Sequence, residues 1–134
     1  MANLTYHASN LINDRVLGAT TLTPPTTYYL GMSTTTIAKD GTGGTEPTDS
    51  AYARIAIANN KTNFGDSALG LITNLTEFTF DESTESWGVV TDWFLADALT
   101  VGNKWFYGNL NISRNVETAT VLRVPVGSFG NTTS

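Results

Sequence analysis

The sequence has no cysteine. That absence excludes disulfide staples, thiolate nucleophiles and cysteine-based metal sites, so stability must come from burial or from assembly. Histidine is almost missing too: His7 is the only one. Any Ser-His-Asp arrangement has to be built around it, yet it falls in an expected helix with no nucleophile motif beside it, so it reads as a surface or interface histidine. Basic residues are scarce, with seven Lys and Arg against twelve Asp and Glu, a net charge of −5 and a pI near 4.5. Such a surface has no basic face with which to displace counterions, which argues against a nucleic-acid partner. No apolar run approaches the roughly 20 residues that span a bilayer. The opening Met1-Ala2-Asn3-Leu4-Thr5-Tyr6 also lacks the basic segment and apolar core of a signal peptide, so the reading is a soluble, unprocessed chain without a membrane partner.

What the sequence has in quantity is threonine, 23 copies, with 12 asparagines and 12 glycines. Threonine suits a pleated surface, and glycine and asparagine supply turns. At 134 residues the chain is the size of one domain with one core. Leu4, Ala8, Leu11, Ile12 and Val16 recur at helical spacing and Gly18 follows, which predicts a helix over about residues 4 to 17. Past Pro24-Pro25 the pattern is strands and loops. Tyr28, Leu30 and Met32 alternate on one strand face, as do Ala53, Ile55 and Ile57 on another. Between them, Thr34 to Ser50 holds four Gly or Pro residues and little to bury, and reads as an exposed loop. Trp87 to Leu95 carries apolar residues on both sides, with Trp87, Val89, Thr91, Trp93 and Leu95 on one and Val90 and Phe94 on the other, which predicts a central strand. Further strands are expected at Thr76 to Phe80, Lys104 to Leu110 and Thr118 to Val126.

The resulting expectation is a mainly β fold, a single-domain β-sandwich or small barrel of six to seven strands with one N-terminal helix. Its divisions are a helix arm over 1–18, a β domain over 19–126 and a polar tail over 127–134.

The search for chemistry returns no site. Gly41-x-Gly43-Gly44 lacks the Lys-Ser/Thr of a P-loop and the third spaced glycine of a dinucleotide fingerprint. Asp81, Glu82 and Glu85 share one turn rather than facing each other across a cleft, and read as a solvated acidic turn. Asp40, Glu46 and Asp49 lack the alternating ladder and closing Glu of a calcium loop. No catalytic residue, cofactor or metal is assigned, and the chain is not read as an enzyme. Trp87, Trp93, Trp105, Tyr107, Tyr28 and Tyr29 could line a sugar platform, but most alternate within strands, which favours core or subunit contact.

Three groups of residues in fixed order carry a family resemblance. They are Leu22-Thr23-Pro24-Pro25-Thr26-Thr27-Tyr28-Tyr29-Leu30-Gly31-Met32-Ser33-Thr34; then Asp40-Gly41-Thr42-Gly43-Gly44-Thr45-Glu46-Pro47 with Tyr52-Ala53-Arg54; then Trp87-Gly88-Val89-Val90-Thr91 with Asp97-Ala98 and Gly108-Asn109-Leu110. Together they resemble a family of small virion structural proteins of tailed bacteriophages, of the kind called tail fibre or minor structural proteins, over roughly residues 4 to 126. The sequence departs from that pattern at Phe94, where the family carries a small glycine, and in its polar end, Gly130 to Ser134. The resemblance implies a virion location and no catalytic or cofactor residue.

A fibre shaft is normally lengthened by heptads, collagen-like triplets or another repeat, and none is present. The expected role is therefore a capsid decoration or cement protein, a homo-oligomer bound to the major capsid protein or other virion proteins. The alternative is a tail fibre or baseplate module that recognises a host-surface glycan. Candidate interface residues are Leu4, His7 and Leu11 in the helix arm, Asp40 and Glu46 in the long loop, Tyr28, Tyr29, Trp93 and Trp105 among the aromatics, and Phe129 in the tail.

Overall fold

A computed structural model of the chain describes residues 2–69, 71–129 and 131–132. Its organising element is an antiparallel sheet of five strands. In chain order these are β1 (Ala2–Leu4), β2 (Thr27–Ser33), β3 (Ile55–Ala58), β6 (Gly88–Ala96) and β7 (Lys104–Val116), arranged β1-β7-β6-β2-β3. Two two-stranded ribbons complete the fold: β4 (Leu71–Ile72) with β9 (Asn131–Thr132), and β5 (Phe78–Thr79) with β8 (Arg123–Val124). Phe78 and Val124 from the second ribbon enter the same core as Leu30, Met32, Trp93 and Leu95. The architecture is thus a small mainly β sandwich, one full sheet faced by ribbons, with one helix, α1 (Tyr6–Val16). The surplus over the six or seven expected strands consists of pieces two or three residues long, too short to carry a periodicity.

The helix begins at a cap, not at Leu4. Thr5 is extended, and its hydroxyl accepts the Ala8 N–H at 3.3 Å while donating to the Lys104 carbonyl at 2.6 Å. Threonine is a favoured residue at this position because its oxygen satisfies a donor that the first helical turn leaves free. Leu4 is released to the sheet, where Ala2, Asn3 and Leu4 pair with Gly108, Tyr107 and Phe106. Of the helix residues Ala8 alone is fully buried, Leu11 and Ile12 pack against the core edge, and Val16 and Leu17 are exposed.

Strand β6 lies at the centre of the sheet, as its two apolar sides predict. Its alternation is not regular, however. Val90 pairs with Arg114 and the next register pair is Asp92 with Asn109, so Thr91 faces a longer stretch of β7 over 110–113. A bulge of this kind reverses which residues point inward. Val90 therefore joins Trp87, Trp93 and Leu95 in the main core, whereas Val89, expected beside them, is 49% exposed. The other face of β6 carries Phe94 and Ala96, which pack with Ile37 and Tyr107 in a second cluster.

Phe94 explains a glycine. It pairs with Gly31 across β2 and β6, and its ring lies over that residue: a Cβ on Gly31 would stand 2.2 Å from the ring tip. The ring is also flanked by the Arg54 guanidinium at 4.9 Å and the Lys104 ammonium at 5.1 Å, which limit its retreat. Gly31→Ala should therefore cost about 1–3 kcal/mol, as overpacking does, read from urea unfolding midpoints. A change below about 0.5 kcal/mol, typical of surface positions, would show that Phe94 does not depend on the bare backbone.

Candidate functional site

Two constellations stand out, a polar lock under the long loop and an aromatic trench at the C-terminal end.

The loop over 34–50 is largely exposed, as its composition predicts, but it is pinned as a strap across the second face of the sheet. The Ser33 hydroxyl accepts the Thr45 N–H at 2.9 Å, and Ile37 bridges Gly43. Gly43 has φ +74°, and a Cβ there would stand 2.6 Å from the Thr36 carbonyl, so the fold-back requires glycine. The fold-back drives Ile37 against Phe94 and Ala96, and its N–H donates to the buried Asp92 carboxylate at 3.3 Å.

Two acids anchor the strap's far end. Glu46 takes Arg54 in a bidentate pair, Nε to Oε1 and Nη2 to Oε2, both at 2.9 Å, and accepts the Tyr52 hydroxyl at 2.7 Å. Arg54 spends its remaining Nη1 on the Ala98 and Val101 carbonyls at 2.7 and 2.9 Å, while the Tyr52 oxygen accepts the Met32 N–H at 3.0 Å. Asp49 is buried and accepts from the backbone N–H groups of Ala51, Thr84 and Glu85, from the Thr84 hydroxyl and from the Trp87 indole N–H at 3.0 Å. It joins the strap to the turn before β6.

These contacts set the charge states. Burial pushes the Glu46 carboxyl up, but hydrogen bonds from Arg54 and Tyr52 and the Arg54 charge outweigh it and hold the group below the usual carboxylate range. Burial acts the same way on Asp49 and is outweighed by the bonds from Thr84, Ala51, Trp87 and Glu85. Both carboxyls therefore titrate lower in the folded chain than in the unfolded one. The stability they contribute is complete above the ordinary carboxylate values of about 4 and is lost as pH falls through the lower folded values. Thermal midpoints should be level from neutral pH down to about pH 5 and fall below it. A midpoint unchanged down to about pH 3 would mean that neither acid is anchored as described.

The aromatic trench is built around Phe129, which is 3% exposed. Its ring stacks on Trp93 with centroids 4.4 Å apart, and lies 5.8 Å from Phe78 and 6.5 Å from Phe64. Asn74, fully buried, clamps the backbone that carries it. The Asn74 amide oxygen accepts the Phe129 N–H at 3.1 Å, its Nδ2 donates to the Pro125 carbonyl at 3.0 Å, and its own carbonyl accepts the Gly127 N–H at 3.0 Å. On one side of the Trp93–Phe129 stack lies a recess of about 340 Å³ walled by Tyr28, Phe64, Leu95 and Phe106, with Asn59 and Lys61 at its polar side. A second recess of about 220 Å³, also touching Trp93 and Phe129, is bounded by Met32, Leu110, Leu122 and Val124. Burial pushes the Tyr28 phenol up to about 12, with the Asp97 charge adding to it, so it is neutral at physiological pH.

The candidate interface residues are distributed unevenly over these features. Tyr28, Trp93 and Phe129 meet in the trench and Glu46 belongs to the lock. Asp40 is exposed and binds Thr42 through its N–H and hydroxyl. Leu4 and Trp105 are in the core, Leu11 and Tyr29 are half-buried, and His7 meets the Trp105 ring edge-on at 5.3 Å. Asp40, Glu46 and Asp49 go to three different partners and do not converge. Among the described residues no group of three His, Cys, Asp or Glu is gathered for a metal. Asp81, Glu82 and Glu85 are exposed on their turn. Of the polar tail, Gly130, Thr133 and Ser134 lie outside the described residues.

Residues 3–132 match the family described as Podophage GP4 fiber I protein gp80. The chain belongs to this fibre family. It is thereby a structural component of a tailed-phage virion, in agreement with the resemblance carried by its ordered motifs, and the match takes in the C-terminal segment that bears Phe129. No curated protein matches the chain. Sequence reasoning missed Phe64 and Asn74. The first sits beside an asparagine-rich turn, and the second offers one polar letter whose burial is visible only in three dimensions.

Proposed function

We propose that this chain is a compact, non-enzymatic packing module of the phage's fibre apparatus, one that holds neighbouring virion subunits in place. The observation that carries this reading is the fibre-family match over nearly the whole chain, on a fold whose conspicuous polar groups are tied to internal partners. Glu46 is paired with Arg54, and Asp49 is surrounded by donors. A general acid or base needs reach to a substrate proton, and these groups are already engaged.

A glycan-reading role would call for exposed aromatic faces, whereas Trp87, Trp93 and Trp105 are all buried. That favours a mechanical part over a receptor-reading one. The second reading, decoration of the major capsid lattice, draws on the absence of any shaft repeat in a compact body of this size.

Separating heads from tails of purified virions and counting this protein in each fraction by quantitative mass spectrometry tests the choice. The fibre reading expects few copies, confined to the tail fraction. Copies in the hundreds on the head fraction would overturn it in favour of decoration.

A further inference from the structure

The recess of about 340 Å³ beside the Trp93–Phe129 stack is bordered by two polar groups that the fold leaves unused. Trp93 is 2% exposed and Tyr28 7%, and both line it. Among the described residues neither the Trp93 indole N–H nor the Tyr28 hydroxyl has a hydrogen-bond partner. The other two tryptophans are satisfied, Trp87 by Asp49 at 3.0 Å and Trp105 by Asp97 at 3.3 Å. Most buried polar groups find a partner, because one left without it has given up its hydration for nothing. Burial keeps the Tyr28 phenol protonated at physiological pH, so its hydroxyl, like the indole, has a proton to donate.

The walls define what can answer these donors. Tyr28, Phe64, Trp93, Phe106 and Phe129 supply rings and Leu95 an aliphatic side, so the body of a guest has to be apolar. A carboxylate would enter without a counter-ion, since Lys61 is already held by Asp66 at 3.3 Å and by the Gly65 carbonyl at 3.0 Å. A sugar carries hydroxyls all round its ring, and most of these walls offer them nothing. A phenol has apolar faces and edges and a single oxygen at its tip. At the exposed rim, Asn59 spends its Nδ2 on the Pro25 carbonyl and Asn60 its Oδ1 on the Thr62 and Asn63 N–H groups. One amide acceptor and one amide donor are left there, the pair that a peptide backbone requires.

We infer that this recess is the socket for a tyrosine side chain of a neighbouring virion protein, its phenol oxygen meeting the donors of Trp93 and Tyr28 and its backbone crossing Asn59 and Asn60. Tyrosine is an effective interface anchor because it joins a large apolar ring to one polar tip. The inference rests on the packing role proposed above and adds the chemistry of the partner.

The three tryptophans give three indole N–H signals in proton–nitrogen NMR of the isotope-labelled full chain. Titration with p-cresol, the tyrosine side chain alone, should move the Trp93 signal downfield to saturation while those of Trp87 and Trp105 stay in place. Toluene, which lacks the oxygen, should bind about tenfold more weakly, as a site built for a hydroxyl discriminates against its absence. Tyr28→Phe should weaken p-cresol several-fold, leave toluene unchanged and not lower the thermal midpoint, because the hydroxyl has no internal partner to lose. Equal binding of p-cresol and toluene would reduce the recess to an apolar cleft and overturn the socket. A shift with methyl α-glucoside but not with p-cresol would replace it by a sugar site, and no shift with any probe would assign the donors to water. A lowered midpoint in Tyr28→Phe would also defeat it, by giving the hydroxyl a structural role. None of these results alters the count of copies in heads and tails, so the socket and the packing role fail separately.

Discussion

Replacing Glu46 by Leu should lower the unfolding free energy by about 3 kcal/mol, the lower end of the range for breaking a buried ion pair. The lower end applies because the two partners are buried unequally: the Arg54 side chain is 5% exposed and that of Glu46 34%. Water can reach the carboxylate, so part of its attraction is screened. The guanidinium has no such relief. Without Glu46 it keeps the Ala98 and Val101 carbonyls and its place over the Phe94 ring, but it loses its counter-charge in a site from which it cannot withdraw. Lys104, already pushed down by burial and by the Arg54 charge, would feel that unbalanced cation more strongly.

The companion variant separates charge from packing. Glu46→Leu combined with Arg54→Met removes both ions, and buried pairs replaced by apolar residues of similar volume commonly regain most of the loss. Urea unfolding of the two single variants and the double variant would measure this. A single-variant cost below about 1 kcal/mol, the worth of an exposed pair, would mean that the lock is a surface contact and the strap is held by Asp49, the Ser33–Thr45 bond and the Ile37 contacts instead.

Phe129→Ala should cost about 3–5 kcal/mol, the range for truncating a buried aromatic ring. Against total stabilities of roughly 5–15 kcal/mol for a domain, that is enough to leave the chain marginal. The mechanism differs from the loss at Glu46. Removing the ring takes away a wall shared by both recesses, and it strips Trp93 of its stacking partner at 4.4 Å. Tryptophan emission should therefore shift to the red at the same time as stability falls. Phe129→Leu keeps most of the apolar volume and should recover much of the loss, since core swaps of similar size usually cost under about 1.5 kcal/mol. An alanine variant as stable as the parent, with unchanged emission, would place the C-terminal segment outside the trench.

The sequence was informative wherever a pattern was long enough to repeat. Tyr28, Leu30 and Met32 share the core face that their alternation implies, and β6 is central because both its faces are apolar. Local chemistry also sufficed for the glycine-rich turn. The failures have a common cause in long-range geometry. Leu4 fitted a helical spacing, but backbone pairing with Phe106 claimed it for β1. Val89 and Val90 exchanged faces because of a bulge set by the far side of β7. The strap looked unanchored because its partners, Asp92, Arg54 and the turn over 84–87, lie elsewhere along the chain. Phe129 stood alone in a polar tail, and a lone aromatic has no period. The two sites thus consist mainly of residues whose meaning is conferred by partners distant in sequence.

The three tryptophans sit on three different joints. The Trp87 indole reports on Asp49, Trp93 stacks on Phe129, and Trp105 carries His7 and the helix arm on its ring while its N–H reaches the Asp97 carboxylate at 3.3 Å. Each native fluorophore therefore watches a separate closure. Chains retaining one tryptophan apiece would resolve in time, without any added label, the order in which strap, C-terminal plug and helix arm settle onto the sheet.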